Sequence, residues 1–364
     1  MVFRISHRFS QNMNGNHYIR LIRFIAFLSF FFLVIIPASK FISAAPSAAD
    51  RVQLFAQQVV FLPVILQSPS GQVPPHITPP PEEAGWLAYV NYYRALAGLS
   101  PVSENTSWSD GGWLHARYMV KNDYISHSED PMKPWYTPEG DQAARTSNLM
   151  ASSNSSNTDH YAIDLWMQAP FHAVGILDPY LSTVGYGSFR ETDGGLQMGA
   201  SLDVIRGLLG SQAEVEYPVA WPGDGATVPL SAYYTEYPNP LTSCPGYQAP
   251  SGLPVILQLG DGNNTPSVTS YSIRVNGESL EACIFDETNY QNPDPDARRL
   301  GRAILDTRDA VVLIPRAPLI PGEFYSVSIT ANGQTYRWSF KVAEEIHLAE
   351  TLLSRFFQET VILR

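Results

Sequence analysis

Few side chains in this sequence have the type and spacing that chemistry requires. There are two cysteines, Cys244 and Cys283, and eight histidines among 364 residues. No H-E-x-x-H, G-x-S-x-G, Walker phosphate loop, G-x-G-x-x-G or C-x-x-C occurs, so the common zinc proteases, lipases and nucleotide enzymes are not indicated. Asn292, Asp294 and Asp296 alternate like the start of a calcium loop. Intervening prolines, with neither the turn glycine nor the distal glutamate, argue against calcium. Two cysteines in an exported chain read as one oxidised pair. Closing a loop of that length stabilises a fold by about 4 kcal/mol in the chain-entropy view.

Export is expected from the N-terminus. Arg4, Arg8, Arg20 and Arg23 precede an apolar run at 24–38, and Ser43-Ala44-Ala45 follows. At about 1.5 Å per residue that run falls short of a hydrocarbon core, as in a secretory signal cleaved near Ala45. The expected location is extracellular or the cell envelope, with no stable membrane span after cleavage. Without residues 1–45 the chain keeps 34 acidic against 18 basic residues, a net −16. Such a balance argues against nucleic-acid binding, which needs a concentrated cationic face.

The elements that must position any site divide into two textures. Residues 46–81 read as a Pro-rich linker, with 59–66 as a short apolar strand inside it. Apolar spacing then predicts helices over 82–98, 108–122 and 159–169, the second turning Trp113, Ala116, Met119 and Val120 inward. Strands follow at 183–189 and 196–205. Helices first and strands after imply α+β rather than alternating βαβ. From about residue 215 the pattern is all β, with seven strand candidates at 227–232, 253–259, 271–275, 279–285, 310–314, 324–330 and 335–342. Asn276-Gly277 and Asn332-Gly333 mark type I′ hairpins. Seven short strands over 215–342 suggest an Ig-like β-sandwich. The tail, 343–364, has helical spacing at Ile346, Ala349, Leu353 and Phe356/Phe357.

The stretch 82–205 resembles the CAP superfamily, the cysteine-rich secretory, antigen-five and pathogenesis-related proteins, in its bacterial form. The matching pieces are Tyr89-Val-Asn91-Tyr-Tyr-Arg94 with Gly98-Leu99-Ser-Pro101; His115-Ala-Arg-Tyr-Met119; His127-Ser128; Ser147-Asn148-Leu149; Trp166-Met-Gln-Ala-Pro-Phe-His172; Ile176-Leu-Asp-Pro179; and Val184-Gly-Tyr-Gly187. Each is weak alone, but seven in the family's order are specific. The resemblance implies an α–β–α sandwich over 82–210, in an α+β chain whose second part is the all-β sandwich. It also implies a cleft lined by two histidines and two acids that often hold zinc.

By position His127 and His172 match the family histidines. Ser147 stands where the family has a glutamate, and Gln168-Ala169 where its second acid lies. Two imidazoles without carboxylates make at best a weak zinc site, and the general base for a metal-bound water is gone. His127, Ser147 and His172 are therefore candidate cleft residues, with His127 and His172 as residual metal ligands. A Ser147–histidine nucleophile would lack a third, orienting acid. His115 and His160 sit in helical segments and read as structural.

The resulting expectation is a secreted, non-catalytic CAP-domain protein. Its cleft would take a lipid, glycan or peptide, with the β-sandwich as spacer or adhesion module. A metal-assisted extracellular hydrolase and a structural envelope protein with a vestigial cleft are the alternatives. An acid from elsewhere, such as Glu139 or Asp141, would change that balance by reaching the histidines.

Overall fold

The structure is a computed structural model. It describes residues 64–65, 77–208, 215–347 and 360–364. The expected secretory signal, most of the linker and the centre of the tail lie outside these residues. Residues 59–364 group into one compact unit.

The first part is built on the helices expected from the apolar stripes. α1 (Gly85–Leu96) buries Tyr89, Val90 and Tyr93. α2 (Thr106–Lys121) starts where the side chain of Asn105 accepts the Trp108 N–H, an N-cap that satisfies an otherwise orphaned donor. α3 (Pro138–Thr146) is capped by Thr137 with proline in its first turn. It runs directly into β1 (Ser147–Ser152), all six residues of which are buried. α4 (Asp159–Met167) is capped by Thr158. Pro170 ends the apolar pattern of α4 and opens a further helix, α5 (Pro170–Ile176), because a missing N–H costs nothing at a first helical position. β2 (Tyr186–Arg190) and β3 (Met198–Asp203) complete this part.

Sequence spacing missed α3 and β1. The buried residues of α3 are Gly140, Ala143 and Ala144, too small to write an apolar stripe. β1 is covered on both faces and so shows no alternation. Leu149 and Ala151 pack with Met119, Ile125 and Leu196 on one side of the sheet. Met150 packs with the α1, α4 and α5 side chains, Trp166 among them, on the other. That is the α–β–α arrangement. Trp113 departs from expectation: it is 41% exposed, with the Arg117 guanidinium 4.8 Å from its ring, while Ala116, Met119 and Val120 are buried as expected.

The second part forms two four-or-more-stranded sheets. One contains β4 (Val219–Trp221), β5 (Val255–Gln258), β7 (Ala282–Phe285) and β8 (Ala310–Pro315) in the order β7-β8-β5-β4. The other contains β6 (Val268–Val275), β9 (Phe324–Ala331) and β10 (Gln334–Val342). Its edges are Val64–Ile65, parallel to β10, and Glu278–Ser279, antiparallel to β6. Of the apolar run at 59–66, Val64 and Ile65 pair with Tyr336 and Arg337 of β10; the rest of the run lies outside the described residues. Both hairpin readings hold: Asn276, Gly277, Asn332 and Gly333 have φ of 51°, 85°, 52° and 78°, the left-handed values a type I′ turn requires. Cys244 and Cys283 form the disulfide.

A helix interrupts the β pattern, α6 (Pro295–Asp306), capped by the Asp294 side chain. This is the structural use of the calcium-like Asn292/Asp294/Asp296 run. The last strand, β11 (Val361–Leu363), corrects the helical reading of the tail at its end. Val-Ile-Leu, with two β-branched residues, finds the open edge of β1 and pairs with it. Ala349, Leu353 and Phe356/Phe357 lie outside the described residues. The sheet of the first part therefore runs β11-β1-β3-β2.

The two parts share one core. Tyr93 meets Trp221 edge-on at 5.7 Å, and Phe171 contacts Tyr290 at 5.0 Å. The Gln258 side chain donates to the Leu177 carbonyl, and the buried Arg308 pairs with Asp178 at 3.0 Å. No helix among the described residues is long and apolar enough to cross a membrane.

Candidate functional site

The C-terminal end of α4, the start of α5, the start of β1 and the loop before α3 converge on one region. His172, in the first turn of α5, is buried. His127 reaches solvent, and its Nδ1 lies 2.8 Å from the Ala144 carbonyl, to which it donates. The Arg364 backbone lies against His172, and the Arg364 charge and that of His172 both act on His127. The two sequence-predicted imidazoles are therefore neighbours. Ser147 is buried, and among the described residues its Oγ has no hydrogen-bond partner, so it forms no hydrogen-bonded pair with His127 or His172. Asn148 donates to the His172 carbonyl at 3.1 Å and holds the α5 turn against β1.

The carboxyl that reaches His172 comes from the second part of the chain. Glu236 Oε2 is 2.9 Å from His172 Nδ1, and the same oxygen accepts the Phe171 N–H at 3.1 Å. Both side chains are almost wholly enclosed. Burial pushes the Glu236 carboxyl well above the usual carboxylate range, against the lowering effect of the Phe171 and His172 N–H groups. Burial pushes the His172 imidazole down to about 4, against the backbone of Arg364. Both shifts point the same way. Each group is moved toward its uncharged form, because burial disfavours the carboxylate and the imidazolium alike. His127 is also lowered, first by the protein packed around its ring and then by the charges of His172, His115 and Arg364.

Gln168 explains how Glu236 arrives. Its Oε1 accepts the Tyr234 N–H at 2.6 Å, and its Nε2 donates to the carbonyls of Leu165 and Thr235. An amide can do both, whereas a carboxylate only accepts. The residue standing where the family has an acid thus docks segment 234–236 onto the end of α4. Glu139 and Asp141 do not reach the histidines. Asp141 accepts the Glu129 N–H and pairs with Arg145, and Glu139 is exposed.

His115 is likewise tied, its Nδ1 3.0 Å from Glu129 Oε1 with both side chains fully enclosed. Glu129 also accepts the Thr137 N–H, which fastens α2 to the cap of α3. Asp164 accepts hydrogen bonds from the hydroxyls of Tyr89 and Tyr93, and His160 stacks on Tyr89 at 3.8 Å. Both histidines read as structural from their helical positions are packed in this way.

The family's zinc tests poorly against these residues. Each cleft histidine has Nδ1 engaged, which is how second-shell contacts orient ligating imidazoles. The ligand count fails: among the described residues no group of three or more His, Cys, Asp or Glu could hold a metal ion, and zinc needs at least three protein ligands. Glu236 is spent on Nδ1 and a backbone N–H.

Comparison with known proteins places residues 87–198 under the model of the CAP, or cysteine-rich secretory protein, family. Among solved structures, an extracellular protein containing an SCP domain from Bacillus anthracis str. Ames aligns at 14% identity and a TM-score of 0.25, covering 32% of this chain and 38% of that one. The alignment thus spans well under half of that protein's length. No curated protein matches the chain. The family match and the order of the motifs agree that residues 87–198 carry a CAP domain, which a β-rich region follows in this chain.

Proposed function

We propose that this is an exported, non-catalytic CAP protein whose cleft binds a small or extended ligand, a lipid, glycan or peptide. His172 is its floor, His127 its mouth, and the β-rich region forms one wall besides acting as a spacer. The observation that carries this reading is the fate of the acids. Ser147 and Gln168 stand where the resemblance places two carboxylates, and the acid that does arrive, Glu236, is shifted by burial toward its uncharged form and already engaged by His172 Nδ1 and the Phe171 N–H. Among the described residues the site has neither three ligands to hold a metal nor a free carboxylate to take a proton from metal-bound water. It retains polar handles in an otherwise apolar wall, the composition of a binding pocket. Export rests on the basic and apolar N-terminus and on the disulfide.

The test is elemental analysis and zinc titration of the full-length protein and of His127→Ala and His172→Ala. Substoichiometric metal with no difference among the three supports the reading. One equivalent of zinc in the wild type, lost in either variant, overturns it in favour of a metal-assisted hydrolase.

A further inference from the structure

β11 is out of place by sequence. The other three strands of its sheet lie within residues 147–203, yet the edge beside the cleft is filled by 361–363. The pairing is antiparallel, Val361 opposite Ser152, Ile362 opposite Ala151 and Leu363 opposite Met150. Arg364 and Leu149 exchange both backbone hydrogen bonds, at 3.0 and 2.6 Å, and the Ser153 N–H donates to the Thr360 carbonyl at 2.9 Å. Without this segment β1, buried along its whole length, would present alternate N–H and C=O groups at the cleft, an edge that recruits a strand.

The edge also reads side chains. Ile362 packs against the Met119, Ile125 and Leu149 cluster on one face, and Leu363 is buried in the main core on the other. Arg364 runs past both histidines and lays its guanidinium 5.0 Å from the Tyr237 ring. Main-chain bonds that give affinity, alternate pockets that give specificity and an aromatic seat for a terminal cation are the parts of a strand-addition peptide site.

We infer that the β1 edge is a binding site for an extended peptide with two adjacent apolar residues followed by arginine, and that residues 360–364 are its resident, competing occupant. This rests on the proposal that the cleft is a binding site and names its ligand class. The resident strand is tethered, so it competes at a high effective concentration and weakens binding from solution. Ile362 faces Ala151 in a hydrogen-bonded position of the ladder, two residues from the Arg364–Leu149 pair. Proline there removes a ladder donor from the occupant and leaves β1 intact.

The probe is a fluorescein-labelled peptide of residues 358–364, titrated into the full-length wild type, Ile362→Pro and Leu363→Ala. A control peptide is N-methylated at the position of Ile362. Binding should tighten from wild type to Leu363→Ala to Ile362→Pro, by at least about tenfold overall, and the N-methylated peptide should not bind. Each protein is first shown to melt cooperatively, and if Ile362→Pro does not fold, Leu363→Ala decides alone. The inference is overturned if no folded variant binds more tightly than the wild type, or if both peptides bind equally. A protein that takes up a lipid or glycan dependent on His127 and His172 but never the peptide loses this inference and keeps the cleft reading. Peptide binding unaffected by His127→Ala and His172→Ala has the opposite consequence.

Discussion

Glu236 Oε2 sits 2.9 Å from His172 Nδ1, across 64 residues of chain and across the junction between the CAP domain and the β-rich region. One carboxyl fixes the imidazole that lines the cleft and also the Phe171 N–H at the start of α5. The β-rich region therefore holds the start of α5 and the His172 ring in place. Gln168 makes the same junction from the other side by holding the backbone at 234 and 235. Where the family pattern leads one to expect two ligating acids, the chain has a neutral pair and a docking amide.

Replacing Glu236 separates a neutral pair from an ionic one. Glu236→Ala strands the Phe171 N–H and His172 Nδ1 in a dry interior, a loss of about 2–3 kcal/mol. Glu236→Gln keeps the shape and both hydrogen bonds of a protonated carboxyl, so it should cost less than about 1 kcal/mol at pH 7. Urea unfolding of the three proteins measures both. Equal, large losses in Gln and Ala would mean that an ionised carboxylate matters.

The pH dependence of that comparison has a definite sign. In the folded state the pair holds one proton, on Glu236; unfolded, the groups return to ordinary values of 4.5 and 6.5. Between those values the unfolded pair also holds one proton, on the histidine, so the pair contributes no slope. Above 6.5 the unfolded pair holds none, and the wild type loses stability as pH rises. In Glu236→Gln the folded pair holds no proton. The variant is thus level above 6.5 and loses stability as pH falls below it. The stability of Glu236→Gln relative to wild type should therefore rise with pH from about pH 5 upward, by up to about 1.4 kcal/mol per pH unit while the folded carboxyl keeps its proton. Parallel curves from denaturant titrations across that range would overturn the neutral-pair assignment.

The histidines should also titrate far apart. His347 Nδ1 lies 2.8 Å from the Tyr89 hydroxyl and 3.5 Å from Asp164. Burial alone would lower it, but the Asp164 hydrogen bond and charge reverse the shift, so His347 titrates above 6.5 while His172 stays neutral down to about 4. His347 adds stability below pH 6.5 that is lost as pH rises through its raised value. In an NMR titration, Asp164→Asn should bring the His347 midpoint to 6.5 or below, because the burial remains when the carboxylate is gone. A midpoint unmoved by that substitution would show that Asp164 does not hold the ring.

What was legible in the sequence is what is local. Asn276-Gly277 and Asn332-Gly333 announce hairpins because their left-handed backbone is a property of two residues. Trp86, Val90, Tyr93 and Ala97 announce α1 because three and four residues make one helical turn. The neighbouring imidazoles were reachable only through the order of short motifs. Glu236 carried no signal, since nothing in Tyr-Thr-Glu-Tyr-Pro points back to a histidine 64 residues earlier. Gln168 was visible as a departure from the family pattern, but its role required the backbone it holds. β11 was misread because Val-Ile-Leu is too short to show a period, and the spacing before it was helical.

The disulfide closes a 39-residue separation between Cys244 and Cys283. It joins the loop after a short 3-10 turn at 240–243 to β7. In the chain-entropy view, removing it should cost about 4 kcal/mol. Mass spectrometry should find the two thiols blocked without reductant. The urea midpoint of the reduced protein, or of Cys244→Ser/Cys283→Ser, should fall, with a slope equal or steeper because the unfolded chain expands once the bond is gone. An unchanged midpoint would show that the fold around 240–285 does not depend on the bond.

The last prediction concerns restoring what the family has. Gln168→Glu returns a carboxylate to the end of α4, just before the extended Ala169 that leads into the helix of His172. If loss of the acid were the whole reason the cleft lacks a metal set, the variant would gain zinc affinity at little cost. The hydrogen bonds argue otherwise. Gln168 Nε2 donates to the carbonyls of Leu165 and Thr235, and its Oε1 accepts from Tyr234, within a fully buried site. Glutamate cannot donate while ionised, so it would face two carbonyl oxygens with a desolvated charge. The variant should lose about 2–4 kcal/mol at pH 7. It should recover part of that loss as pH falls and the new carboxyl protonates, because a protonated acid can again donate once. Thermal melts at pH 5 and pH 7 read this directly. A variant as stable as wild type that binds one zinc would mean that segment 234–236 lifts away from α4 and that the family's site lies intact beneath it.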